Sequence, residues 1–152
     1  MISKFLNLFD KSTRIKNDIE VKALIGKCIL INKRKNYLNF ETINDAEEKI
    51  LSQNGEDGII DYILEILDIK DPKFIEIGVE DYTESNTRLL YHIRNSYGLI
   101  VDQTIDVNKL SKSLDLWKGR IKVIKKAVSP TNINQLINDN YFNKNLDLFS
   151  ID

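Results

Sequence analysis

Phe74-Ile75-Glu76-Ile77-Gly78-Val79-Glu80-Asp81 runs from an apolar stretch into an acid, a glycine and two more acids. An apolar strand that ends in such a turn and feeds a helix is how a nucleotide-binding α/β sheet begins. A second acid, Asp102, closes the next apolar run, Leu99-Ile100-Val101, about one βαβ unit later, where a ribose diol is held in such sheets. Each of these residues also has a plainer reading. Gly78 suits any sharp strand-to-helix turn, and Asp102 could be a solvated strand-end carboxylate.

The chemistry of this turn narrows the ligand. The three-glycine dinucleotide fingerprint is absent, which argues against NAD and FAD. Glu80, Asp81 and Glu84 would repel phosphates, and no glycine-lysine-serine/threonine phosphate loop occurs anywhere. An acidic turn suits a cofactor that carries positive charge and no phosphate. S-adenosylmethionine fits that description, with a sulfonium, an ammonium, a ribose diol and an adenine. Carboxylates hold such ammonium and hydroxyl groups through charge-assisted hydrogen bonds. Ala127 and Val128, small and apolar at the end of the third strand, could wall an adenine or simply belong to the core. Asp152 ends the fourth strand on the same edge and would face the reacting end of the cofactor.

The elements that must position these residues are legible from Ala46 onward. Asn54, with Asp57 three residues later, predicts a capped helix, and Ile59, Ile60, Ile63, Leu64 and Leu67 recur at helical spacing until Asp71-Pro72. Strands are expected at 73–77, 99–102, 121–128 and 146–151. Between them lie a helix capped by Thr83 or Ser85 and carrying Leu89, Leu90 and Ile93, and a stripe of Val107, Leu110, Leu114 and Trp117 stopped by Gly119. A weak helix around Ile133, Leu136 and Ile137 follows. Four strand–helix alternations predict an α/β fold, a Rossmann-like parallel sheet with flanking helices. Residues 1–45 read as a mainly helical N-terminal extension to a domain over 46–152. Phe5 to Phe9 could start a small helix, 19–31 could be helix or strand, and 32–39, with Lys33-Arg34-Lys35, reads as a solvated loop.

Bulk properties exclude several classes. The 152 residues carry 22 basic and 23 acidic side chains, so no global basic field draws in nucleic acid or anionic membrane. The lone Cys28 and lone His92 supply neither an intrachain disulfide nor a Cys/His zinc set, and no metal site is expected. No apolar run reaches the ~18 residues of a membrane span, and the N-terminus does not read as a signal peptide. A reducing, cytoplasmic location is the expectation.

The block Ser52-Gln53-Asn54-Gly55-Glu56-Asp57-Gly58-Ile59-Ile60, then Phe74 to Asp81, then Glu84-Ser85-Asn86-Thr87-Arg88, resembles the FkbM-type S-adenosylmethionine-dependent methyltransferases. Leu146-Asp147-Leu148-Phe149-Ser150-Ile151-Asp152 is similar to the start of that family's fourth-strand motif, so the resemblance covers roughly residues 50–152. It implies that Glu76, Gly78 and Glu80 line the methionine end of the cofactor, that Asp102 binds ribose and that Ala127 and Val128 flank adenine. It places Asp152 towards the substrate or metal side, with Gln53 and Glu56 in the segment leading into the pocket. It also implies methylation of a hydroxyl on a sugar or other small acceptor. Tyr82 departs from the pattern, because many relatives have glycine there. The family motif runs on past Asp152, so the chain reads as a cofactor-binding N-terminal part, incomplete at its C-terminus. On that reading it lacks part of the acceptor site and could self-associate through an exposed sheet edge. The rival expectations are a truncated, non-catalytic product or binding module and, further off, an NAD or nucleotide-sugar enzyme.

Overall fold

The computed structural model describes residues 2–114, 120–141 and 145–152, with side chains from residue 18 onward. Trp117 and Gly119 lie outside the described residues. The chain opens with one long helix, α1 (Ile2–Arg34), followed by short 3-10 turns at Tyr37–Asn39 and Ile43–Ala46. Then come α2 (Glu56–Ile66), β1 (Lys73–Ile77), α3 (Arg88–Ile93), β2 (Tyr97–Asp102), α4 (Val107–Ser113), β3 (Ile121–Lys125), α5 (Ile133–Asn140) and β4 (Leu148–Ile151).

The four strands form one parallel sheet in the order β3-β2-β1-β4. This is the Rossmann-like α/β arrangement that strand–helix alternation dictates. The central strands are apolar on both sides because helices cover both faces. Phe74 and Ile100 pack under Tyr82, Tyr91, Leu110 and Leu114 on one face. Ile75, Ile77, Leu99 and Val101 pack against Leu136 of α5 on the other. A third cluster joins Ala23 and Leu30 of α1 to Leu51 and to Leu89 of α3, so α1 forms an outer layer over α3.

Several expectations change in detail. The N-terminal stretch is a single helix to Arg34, because no proline interrupts it and its one glycine, Gly26, sits where a side chain would overlap Ile50. Arg34 is therefore no loop residue: it ends α1 and reaches Asp61. The N-cap of α2 is Gly55, not Asn54. Asp57 is buried, and one of its oxygens accepts from the backbone N–H groups of Ile50, Leu51 and Ser52. Ser52 Oγ accepts in return from the Asp57 N–H at 3.1 Å. This reciprocal pairing places the start of α2 better than a lone Asn54 cap could. Helix α3 starts after Thr87, later than either Thr83 or Ser85. Strand β3 ends at Lys125 rather than 128, and β4 begins at Leu148 rather than 146.

Candidate functional site at the carboxyl edge of the sheet

The carboxyl ends of β1, β2 and β4 bring Glu76, Gly78, Glu80, Asp102 and Asp152 together. The parallel register sets this, since Glu76 lies beside Ile100 on one side and Ser150 on the other. Beyond the strands, the Gly78 N–H donates to Val101 O at 3.0 Å and the Asp152 N–H donates to Ile77 O at 3.0 Å.

Glu76 points to the α3 face and is almost wholly buried. Its carboxylate accepts from the N–H of Asn86 at 2.9 Å, the N–H of Thr87 at 3.1 Å and the Thr87 hydroxyl. It thereby satisfies backbone donors at the entry to α3, which has no side-chain cap of its own. Burial pushes its pKa up, three hydrogen bonds oppose that, and the neighbouring Asp152 adds to the rise. Asn86 in turn donates to Ser150 Oγ at 3.0 Å, linking the loop to β4.

The loop between β1 and α3 is strained in a regular way. Gly78, Glu80 and Tyr82 have φ of 84°, 50° and 61°. Only the first is glycine, so the other two adopt a left-handed backbone at a cost of about 1–2 kcal/mol each. Gly78 has a second constraint, because a Cβ there would overlap the carbonyl oxygen of Asp152. The turn itself therefore requires this glycine. Tyr82 holds a φ that glycine would adopt without cost. The strain is held by packing: Tyr82 is fully buried, its hydroxyl lies 2.8 Å from Thr87 Oγ1, and the Arg88 guanidinium sits 5.1 Å from its ring centre.

Asp102 organises the adjoining loop. One oxygen accepts from the Thr104 N–H, the Thr104 hydroxyl and the Ile105 N–H, and the other accepts from the Glu80 N–H at 3.0 Å. Burial pushes its pKa up, but these bonds outweigh it and hold it below the usual aspartate value. A ribose would have to share the second oxygen. Glu80 itself uses only its N–H here, and its side chain faces water.

Ala127 and Val128 lie one strand further out. Ala127 is exposed and its carbonyl accepts from Asn132 at 3.0 Å, while Val128 packs against the Leu136 cluster. Gln53 is exposed, and Glu56 accepts from the Asn54 N–H at 2.9 Å, holding the loop before α2.

The acids of this edge have few close cationic partners, although Lys109, Lys125 and Lys126 lie along it. Among the described residues, no ion pair involves Glu76, Glu80, Asp102 or Asp152; Asp81 alone has a distant partner, Lys109 at 3.6 Å. No group of three or more His, Cys, Asp or Glu among the described residues is placed to hold a metal ion.

Sequence reasoning did not single out Asn86, Thr87 or Ser150 as partners within the site, nor the alternating positive φ. The acid-glycine-acid spacing carried a signal for the loop. Asn86 and Thr87 stood in the Glu84–Arg88 block without an assigned partner, and only the β1–β4 register brings Ser150 beside Asn86. Comparison of the chain with protein-family models finds no match, and comparisons with curated proteins and solved structures find none either. The fold and the edge chemistry therefore define the class: an α/β protein with a parallel sheet and an acid-rich carboxyl edge.

Proposed function

We propose that this edge binds S-adenosylmethionine, and that the chain works as the cofactor-binding part of a methyltransferase acting on a hydroxyl of a sugar or other small acceptor. The observation that carries the reading is the set of carboxylates without cationic partners around a strained loop. Such a set attracts a cationic, phosphate-free nucleoside and repels a dinucleotide.

When bound, S-adenosylmethionine supplies a methyl group activated on a sulfonium. The chain's own residues hold and orient it. Glu80 is the exposed acid for the ammonium. Asp102 offers its second oxygen to a ribose hydroxyl while fixing the loop that carries Glu80. Glu76 keeps the entry to α3 in register and adds negative potential from below. Asp152, exposed beside Gly78, is the carboxylate assigned to the acceptor side, where an oxygen of its side chain can take the proton of the hydroxyl.

Calorimetric titration of S-adenosylmethionine and of NAD into the chain tests this, with Glu80→Gln as the variant. That substitution leaves the Glu80 N–H bond to Asp102 intact, so the fold is retained. Saturable binding of S-adenosylmethionine, weakened roughly tenfold in the variant, and no binding of NAD are expected. A folded chain that takes NAD in preference, or neither ligand, would overturn the reading.

A further inference from the structure

The outer face of α1 has no use in the site. Ala23, Gly26 and Leu30 turn inward, towards Leu51, Ile50 and Leu89. On the opposite side of the same helix, Val21, Leu24, Ile25, Cys28 and Ile31 recur at helical spacing, all exposed, with Leu24 64% accessible and Val21 and Ile25 each 55%. A helix that is apolar on two opposite faces needs two apolar environments. The core supplies one.

Charge identifies the other. Residues 1–35 hold nine of the 22 basic residues and only three of the 23 acidic ones, Asp10, Asp18 and Glu20. Lys33 and Arg34 are paired with Glu48, Asp61 and Glu65, and the seven bases that remain still exceed the three acids, so the near-neutral total hides a net basic helix joined to an acidic remainder. Lys22 and Lys27, both exposed, flank the apolar stripe on its two sides, and the exposed Asp18 and Glu20 border its N-terminal end. Long lysine stems can lie along an apolar surface while their ammonium groups reach outward. Among the described residues no helix is long and apolar enough to cross a membrane. A basic helix with an apolar stripe of this kind lies in the plane of an anionic bilayer surface instead.

We propose that α1 docks the protein on anionic membrane through Val21, Leu24, Ile25, Cys28 and Ile31, with Lys22 and Lys27 at the headgroups. The acidic remainder of the chain would be held away from the surface by the same field. A second copy of the chain fits less well, because pairing two such stripes brings two basic helices together. Nucleic acid fits less well too, because phosphates reward the lysines and leave the stripe in water. The inference does not rest on the cofactor reading.

The test is co-sedimentation of the full chain with vesicles of phosphatidylcholine containing phosphatidylglycerol, and with phosphatidylcholine alone. Two variants accompany it, Leu24→Glu/Ile25→Glu and Lys22→Glu/Lys27→Glu, together with light scattering of the free protein. Because all four positions are exposed, thermal melting should stay close to that of the parent. The expected result is binding to the anionic vesicles that falls with added salt and weakens about tenfold or more in each variant. No binding to anionic vesicles would overturn the proposal. So would equal binding to both vesicle types, or a dimer of the free protein that the Leu24→Glu/Ile25→Glu variant abolishes.

Discussion

Two buried carboxylates, Asp61 on α2 and Glu76 on β1, are held in opposite ways. Asp61 accepts from Arg34 at 2.8 and 2.7 Å, from Arg94 at 2.6 Å and from the Tyr37 hydroxyl at 2.9 Å. Glu65 joins the same two arginines at 3.2 and 2.8 Å, and the knot ties the end of α1 to α2 and to the residue after α3. Glu76 is held by two backbone N–H groups and a threonine hydroxyl, with no cation. Burial raises the pKa of both. At Asp61 the two arginines outweigh burial and the pKa falls; at Glu76 burial wins and it rises. A carboxylate neutralised by arginines fastens elements together and projects little field. A carboxylate held by neutral donors is equally fixed, yet it keeps its negative potential for whatever approaches the sheet edge.

The largest expected effect lies at the arginine knot. Asp61→Ala leaves Arg34 and Arg94, the second nearly buried, with Glu65 as their one shared carboxylate and leaves the Tyr37 hydroxyl without its acceptor. Removing one partner of such a network costs about 3–5 kcal/mol, measured by urea denaturation. If the loss is under about 1 kcal/mol, the knot is not what joins α1 to the domain.

Glu76→Gln should cost less, about 1–3 kcal/mol, because the new amide NH₂ meets a backbone N–H that needs an acceptor. Its pH dependence separates the two acids further. Asp61 has a lowered folded pKa, so its contribution is present above the ordinary value of 3.8 and is lost as pH falls through the folded one. Glu76 has a raised folded pKa, so its contribution is present below the ordinary value of 4.5 and is lost as pH rises through the folded one. In denaturation curves across the acid range, the Asp61→Asn deficit should shrink as pH falls. The Glu76→Gln deficit should shrink as pH rises. Parallel slopes for the two variants would erase the distinction.

The smallest effect is expected at Tyr82→Phe. It removes the hydroxyl beside Thr87 and keeps the ring under Arg88, for about 1 kcal/mol. Because Thr87 still donates to Glu76, the variant should leave the affinity proposed for S-adenosylmethionine within about twofold in calorimetry.

The same contrast explains what could be read from the sequence. Strand cores and the acids that end them follow alternation and turn chemistry, so β1, β2 and their closing acids were visible directly. Ion pairs between distant segments leave no periodic trace: Arg34, in a basic triplet that reads as loop, finds Asp61 only once α1 is continuous. Near-equal totals of acids and bases likewise conceal that the N-terminal helix is net basic and the remainder net acidic. The role of Asp102 in its own loop was hidden because Thr104 and Ile105 supply backbone donors, which any sequence provides. The left-handed backbone at Glu80 and Tyr82 was equally hidden, since neither is a residue type that announces it.

The central claim is that Glu76, Glu80, Asp102 and Asp152 hold fixed negative charge at the sheet edge without ion-pair partners among the described residues, the charge proposed to attract a cationic nucleoside. Carboxyl ¹³C NMR titration of Glu76 and Asp61, with and without S-adenosylmethionine, tests it most directly. The account predicts that Glu76 titrates above an ordinary glutamate and Asp61 below an ordinary aspartate. It also predicts that S-adenosylmethionine lowers the Glu76 midpoint and leaves that of Asp61 unmoved. A Glu76 that titrates at or below the ordinary value, or that ignores the ligand, would contradict it.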